Sequence, residues 1–102
     1  MSARRRVPIL SCKQRLILEL LIAAGEMYGL ELVAASKGRL KRGTVYVTLA
    51  RMEDSGYVRS RLEDAPAEAG GLPRRIYQPT PLGRRILDAW DRVARLLPEF
   101  AR

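Results

Sequence analysis

The stretch from Lys41 to Arg51 groups cations, hydroxyls and small side chains in a pattern suited to holding a polyanion. Lys41 and Arg42 are positive, Thr44 and Tyr46 carry hydroxyls, and Gly43, Val47 and Ala50 leave little bulk between them. Arg51 adds a guanidinium, whose planar fork can grip a phosphate or the edge of a guanine. Further cations follow in Arg59, Arg61, Arg74 and Arg75. None of these residues is set up to break a covalent bond. The chain has no histidine, no phosphate-cradling glycine loop and no base placed to activate its one cysteine, Cys12. An enzyme is therefore not expected, and no cofactor is called for. A Cys/His zinc site and an intrachain disulfide are excluded on the same composition. Cys12 reads as a small residue at a helix start, with redox sensing as the lesser alternative. The cysteine usage fits a reducing, cytoplasmic setting.

In 102 residues, 19 Lys and Arg outweigh 11 Asp and Glu to give a net charge of +8. That excess points to an acidic polymer or an anionic membrane surface as partner, against the plain alternative of a solvated surface. Hydrophobic residues make up 47% of the chain, which predicts one packed domain rather than disorder. Arg4, Arg5 and Arg6 precede no long apolar run, and Lys13, Arg15 and Glu19 interrupt the hydrophobic residues that follow. A signal peptide or membrane span is thus not expected. Residues 1–10 read as a flexible basic arm, either solvated or laid along phosphate.

Ser11 and Gln14 have capping-box spacing, which starts a first helix that Gly25 ends after Ala24. Its apolar residues, Leu16 and Leu20 among them, spread around more than one face, so burial on two sides is expected. A short second helix, Tyr28 to Ala35, should turn Leu30, Val33 and Ala34 inward. A third runs from near Lys41 to Gly56. At about 100° per residue, Val45, Leu49 and Met52 form its core stripe. Gly43, Val47, Ala50 and Arg51 fall opposite, with Thr44 and Tyr46 on the flanks. Val58–Leu62 and Arg75–Gln78 read as two strands around a Gly- and Pro-containing connection. Thr80 caps a last helix with Pro81 at its first position. Leu82, Ile86, Trp90, Val93 and Leu97 share one face of that helix. Arg84, Asp88, Asp91, Arg92 and Arg95 share the other, at ion-pair spacing.

Three helices followed by a two-stranded wing make a winged helix-turn-helix, so the fold class is mainly α with a small β-hairpin. Its third helix can enter the major groove of double-stranded DNA. Val47 can touch a thymine methyl, and Tyr46 can offer its hydroxyl to a phosphate or pack as a core tyrosine. The candidate DNA-binding residues are Lys41, Arg42, Gly43, Thr44, Tyr46, Val47 and Arg51, with Arg59, Arg61, Arg74 and Arg75 on the wing stems. Glu63, Asp64 and Glu68 lie near the wing tip and would repel phosphate, so the stems are expected to do more than the tip. The winged helix spans residues 11–79, and 80–102 form a C-terminal helix joined to it as one unit. Nothing in so small a domain covers that helix's apolar face, and a symmetric homodimer would. Leu16, Leu20, Leu82, Ile86, Trp90, Val93 and Leu97 are the candidate interface.

Tyr28-Gly29-Leu30-Glu31-Leu32, Gly43-Thr44-Val45-Tyr46, Leu49 with Met52-Glu53, and Gly56-Tyr57-Val58 together resemble the PadR family of bacterial transcriptional regulators. Arg75-Ile76-Tyr77 leading to Thr80-Pro81-Leu82-Gly83-Arg84 resembles that family's second wing strand and last-helix start. The resemblance implies a homodimer that represses genes by binding an inverted-repeat operator, on the bacterial nucleoid. It also implies dimerisation through the C-terminal helix, aided by the first, and a DNA role for Gly43, Thr44 and Tyr46. The chain is similar to the subgroup with a short C-terminal region. Family members that sense aromatic or cationic compounds do so at the dimer interface, where Trp90 would lie. Trp90 reads first as core, and the sequence names no effector. The competing reading is a winged-helix module that holds another protein, an anti-activator or co-regulator without its own DNA target.

Overall fold

A computed structural model of the chain describes residues 10–64, 70 and 73–96. The elements run α1 (Cys12–Ala24), β1 (Met27–Tyr28), α2 (Gly29–Ala35), α3 (Arg42–Asp54), β2 (Val58–Glu63), β3 (Arg74–Pro79) and α4 (Pro81–Leu96). Local chemistry sets most of the boundaries. The amide of Gln14 donates to Ser11 Oγ while the Gln14 side chain accepts from the Ser11 amide, each at 3.1 Å. These bonds satisfy amides that a helix start otherwise leaves free. Gly25 and Gly56 end α1 and the α3 turn at φ 92° and 82°, a region that costs other residues strain. The amide of Gly83 donates to Thr80 Oγ1 at 3.0 Å, and the Thr80 hydroxyl donates to the Gly56 carbonyl. One threonine therefore caps α4 and ties it to the end of α3.

The core gathers Ile17, Leu18 and Leu21 of α1, Leu32 of α2, Val45, Leu49 and Met52 of α3, and Val58 of β2. Val45, Leu49 and Met52 are the stripe expected from helical phase. The second helix differs from expectation. Gly29 and Leu32 are its buried residues, while Leu30 and Ala34 are exposed and Val33 is half-buried. Two turns of helix repeat the period of about 3.6 residues too few times to single out one phase. The one adopted puts Gly29 under Tyr46 and Ser36 in the turn. Ser36 is buried, donating to the Val33 carbonyl at 2.8 Å and accepting from the Leu40 amide at 2.9 Å. That pair of bonds fixes the turn between α2 and α3.

The wing strands β2 and β3 pair antiparallel, with Ser60 opposite Tyr77 and Arg61 opposite Ile76. A third strand, not anticipated from sequence, joins them. Met27 and Tyr28 pair with Tyr77 and Ile76, so the sheet order is β1-β3-β2. α4 lies against α1, where Leu87 is buried and Ile86 and Trp90 pack partly on the core. Arg15 reaches across to Asp91 at 3.5 Å, which takes Asp91 from the Arg95 pairing expected along the helix. Asp88 does pair with Arg92, at 2.8 Å. No helix among the described residues is long and apolar enough to cross a membrane. The Arg4–Arg6 arm, Glu68 and Leu97 lie outside the described residues.

Candidate nucleic-acid interface

Burying Val45, Leu49 and Met52 forces the opposite side of α3 into solvent. Lys41, Arg42, Gly43, Thr44, Tyr46, Val47 and Arg51 are all exposed there. The first turn of α3 holds no acidic residue. Among the described residues no carboxylate pairs with Lys41, Arg42 or Arg51. The unpaired amides of that first turn add a further positive field. Val47 is an apolar side chain left 53% exposed. A Cβ added at Gly43 would meet no atom within 4 Å, so internal packing does not require glycine there.

Tyr46 stands between the two roles expected of it. Its ring rests on the backbone of Gly29, yet 45% of the residue remains exposed. It borders an open cleft of about 360 Å³, lined also by Tyr28, Leu30, Pro73, Arg74 and Arg75. The cleft thus joins the start of α2, the face of α3 and the root of the wing.

The four stem arginines are not equivalent. Cross-strand pairing puts Ser60 on the sheet face that meets α3. Ser60 donates its hydroxyl to Glu53 of α3 at 2.9 Å and accepts from Arg75 Nη1 at 3.0 Å. Glu53 also accepts from the Ser60 amide at 3.2 Å, so this carboxylate fixes the wing's angle to α3. Arg59 and Arg74 lie on the other face, where Arg74 also stands opposite Glu63. Arg59 Nε donates to Gln78 at 3.0 Å, and Arg74 lies 4.2 Å from the centroid of the Tyr28 ring. Arg61, expected to be a phosphate contact like the rest, instead lies between two carboxylates, 3.0 Å from Glu26 and 3.0 Å from Glu63. Glu63 also accepts the Tyr28 hydroxyl. That bond, and then Arg61, holds its carboxyl below the ordinary value of 4.5, while the same bond pushes the Tyr28 phenol up from 10.0. Tyr28 and Glu26 were not among the site residues expected from sequence. Their partners on β2 lie 35 positions away, beyond the reach of local spacing.

The residues expected at a dimer interface divide by exposure. Leu16 is buried in its own domain, Leu20, Ile86 and Trp90 are half-buried, and Leu82 and Val93 are exposed, as is Leu96. Among the described residues no group of three or more side chains is arranged to hold a metal ion.

The family model described as "Transcriptional regulator PadR-like family" matches residues 17–89, from within α1 to within α4. The chain belongs to that family. This PadR-like chain is a winged-helix transcriptional regulator and not an enzyme. It is similar in structure to a PadR family transcription regulator from Clostridium difficile, at 26% identity and a TM-score of 0.72. That match covers 88% of this chain and 94% of the other. A PadR family regulator from Eggerthella lenta matches at 25% identity and a TM-score of 0.71, over 86% of this chain and 76% of that one. Bacillus subtilis PadR, solved in complex with operator DNA, shares the fold at 24% identity and a TM-score of 0.69. Here 78% of the PadR-like chain aligns with 46% of that protein. No protein of curated function matches the chain.

Proposed function

We propose that this PadR-like protein is a homodimeric repressor that binds an inverted-repeat operator, placing one α3 helix from each protomer in the major groove. The observation that carries this reading is the outer face of α3, where Lys41, Arg42 and Arg51 have no carboxylate partner among the described residues. Lys41, Arg42, Thr44 and Tyr46 would hold phosphates, and Val47 and Arg51 would meet base edges over the small Gly43. Arg59, Arg74 and Arg75 on the wing stems would grip the flanking backbone. B. subtilis PadR, which shares this fold, was solved with operator DNA, and that supports a DNA partner for this chain. The exposed Leu82, Val93 and Leu96 of α4 supply the apolar face through which a second copy would set the spacing of the two reading helices. Such a protein acts on DNA in the cytoplasm.

Titration of the DNA upstream of the protein's own gene at rising salt tests the reading. Neutralised phosphates release counterions, so log affinity should fall linearly with log salt at about −0.9 per phosphate contacted. Salt-independent binding, or none at low salt, overturns it.

A further inference from the structure

The face of the sheet turned away from the core carries polar side chains drawn from all three strands. Ile76 of the central strand points to that face, with Tyr28 and Arg61 as its cross-strand neighbours. It is buried, yet stands apart from the core cluster. Arg61 spans this face. Its Nη1 donates to Glu26 Oε1 at 3.0 Å, and its Nη2 lies 3.4 Å from Glu26 Oε2 and 3.0 Å from Glu63 Oε2. Glu63 in turn accepts from the Tyr28 hydroxyl, and Glu26 from Gln78 at 3.5 Å.

One guanidinium thus bridges two carboxylates, and Arg74, opposite Glu63 on β3, brings the local charge to balance. Exposed ion pairs contribute little to stability, so stability is a weak reason for two carboxylates on a half-exposed arginine. The consequence for DNA is larger. A free arginine on a wing is a sequence-independent phosphate contact, and it strengthens binding to any duplex. We propose that Glu26 and Glu63 withhold Arg61 from the DNA backbone and so limit the part of this protein's affinity that ignores sequence. Arg61 is then a positioning residue that ties β2 to the start of β1, unlike Arg59 and Arg75, whose hydrogen-bond partners are uncharged, and Arg74, which stands opposite Glu63 without forming a salt bridge to it. The inference rests on the DNA-binding reading above.

A mutant cycle on a short duplex of arbitrary sequence tests it. E26Q/E63Q should bind this duplex several-fold more tightly than wild type, with a salt slope steeper by about one phosphate contact. The same pair of substitutions made with R61Q should give neither gain, because Arg61 is the arginine that both carboxylates hold in salt bridges. If the gain persists with R61Q, the carboxylates merely repel DNA and the proposal falls. It falls also if E26Q/E63Q changes nothing. Glu63 helps to order the wing, so E26Q is run through the same cycle with R61Q. It removes the two-pronged partner of Arg61 and leaves the Tyr28–Glu63 bond in place, and a smaller gain that again needs Arg61 is expected. Wild-type protein that binds no duplex at low salt overturns the DNA reading and this inference together. A salt-dependent wild type with an unresponsive cycle overturns this inference alone.

Discussion

The ring of Tyr46 on α3 lies on the bare backbone of Gly29 at the start of α2, so that a Cβ at Gly29 would fall 2.5 Å from Tyr46 Cε1 and 2.7 Å from its hydroxyl. A methyl there has to displace the ring. The displaced atoms are the outer end of a half-exposed side chain, so the fold can yield at small cost. Gly29→Ala should therefore leave the thermal midpoint within a few degrees of wild type and weaken operator binding several-fold. Combined with Tyr46→Ala it should add no further loss of affinity. Gel-shift titrations of the two single variants and the double variant measure this. Additive losses would mean that Gly29 does not act through Tyr46.

Gly83 is different, because backbone blocks it. A Cβ at this position would run into the carbonyl of Tyr57 and press on Leu18 Cδ2 at 3.1 Å. Neither the α3–β2 connection nor the core can move away readily. Gly83→Ala should destabilise the protein by about 2–3 kcal/mol, the upper part of the ~1–3 kcal/mol typical of overpacking. Denaturant unfolding reads it directly, and a change under ~0.5 kcal/mol would show that α4 can shift outward freely.

Val93 and Leu82 lie exposed on α4, each at 41%. Val93→Asp should leave the fold of the protomer intact, since neither end state is buried in it, and should abolish the dimer. Sedimentation should then give the mass of one chain for the variant and of two for wild type. Equal masses would remove this face as the interface.

Glu63 predicts a pH dependence with a definite sign. Its carboxyl is held below 4.5 first by the Tyr28 hydroxyl and then by Arg61. The unfolded chain therefore takes up this proton at higher pH than the folded one. The stabilisation is complete above the ordinary value and is lost as pH falls through the lower, folded value. In thermal melts taken downward from pH 5, wild type should lose more stability than E63Q. Parallel curves would mean that the Tyr28–Glu63 bond contributes nothing in solution.

Much of this fold was legible from neighbours in sequence. Ser11 with Gln14, Gly25, Gly56 and Thr80 with Pro81 act through bonds and backbone angles a few residues long, and the helices start and stop where they indicate. The phase of α3 was legible for a related reason. Over thirteen helical residues the large side chains Val45, Leu49 and Met52 recur at one phase, while Gly43, Val47, Ala50 and Arg51 fall opposite. The seven residues of α2 are too few for such a recurrence, and its phase was decided by what lay above Gly29.

Charge count behaved in the same way. The sequence determined that the third helix and the wing stems are rich in arginine and lysine, and that the outer face of α3 is basic. Which of those cations remain unpaired was a tertiary matter. β1 is only two residues long and carries no strand signal of its own. It exists because β3, some fifty positions later, offers it a free edge at Ile76 and Tyr77. That pairing brings Tyr28 and Glu26 beside Glu63 and Arg61. Charge interactions depend on distance in space and not along the chain. The sequence could therefore place Arg61 on the wing stem, but only the folded sheet could give it two carboxylates.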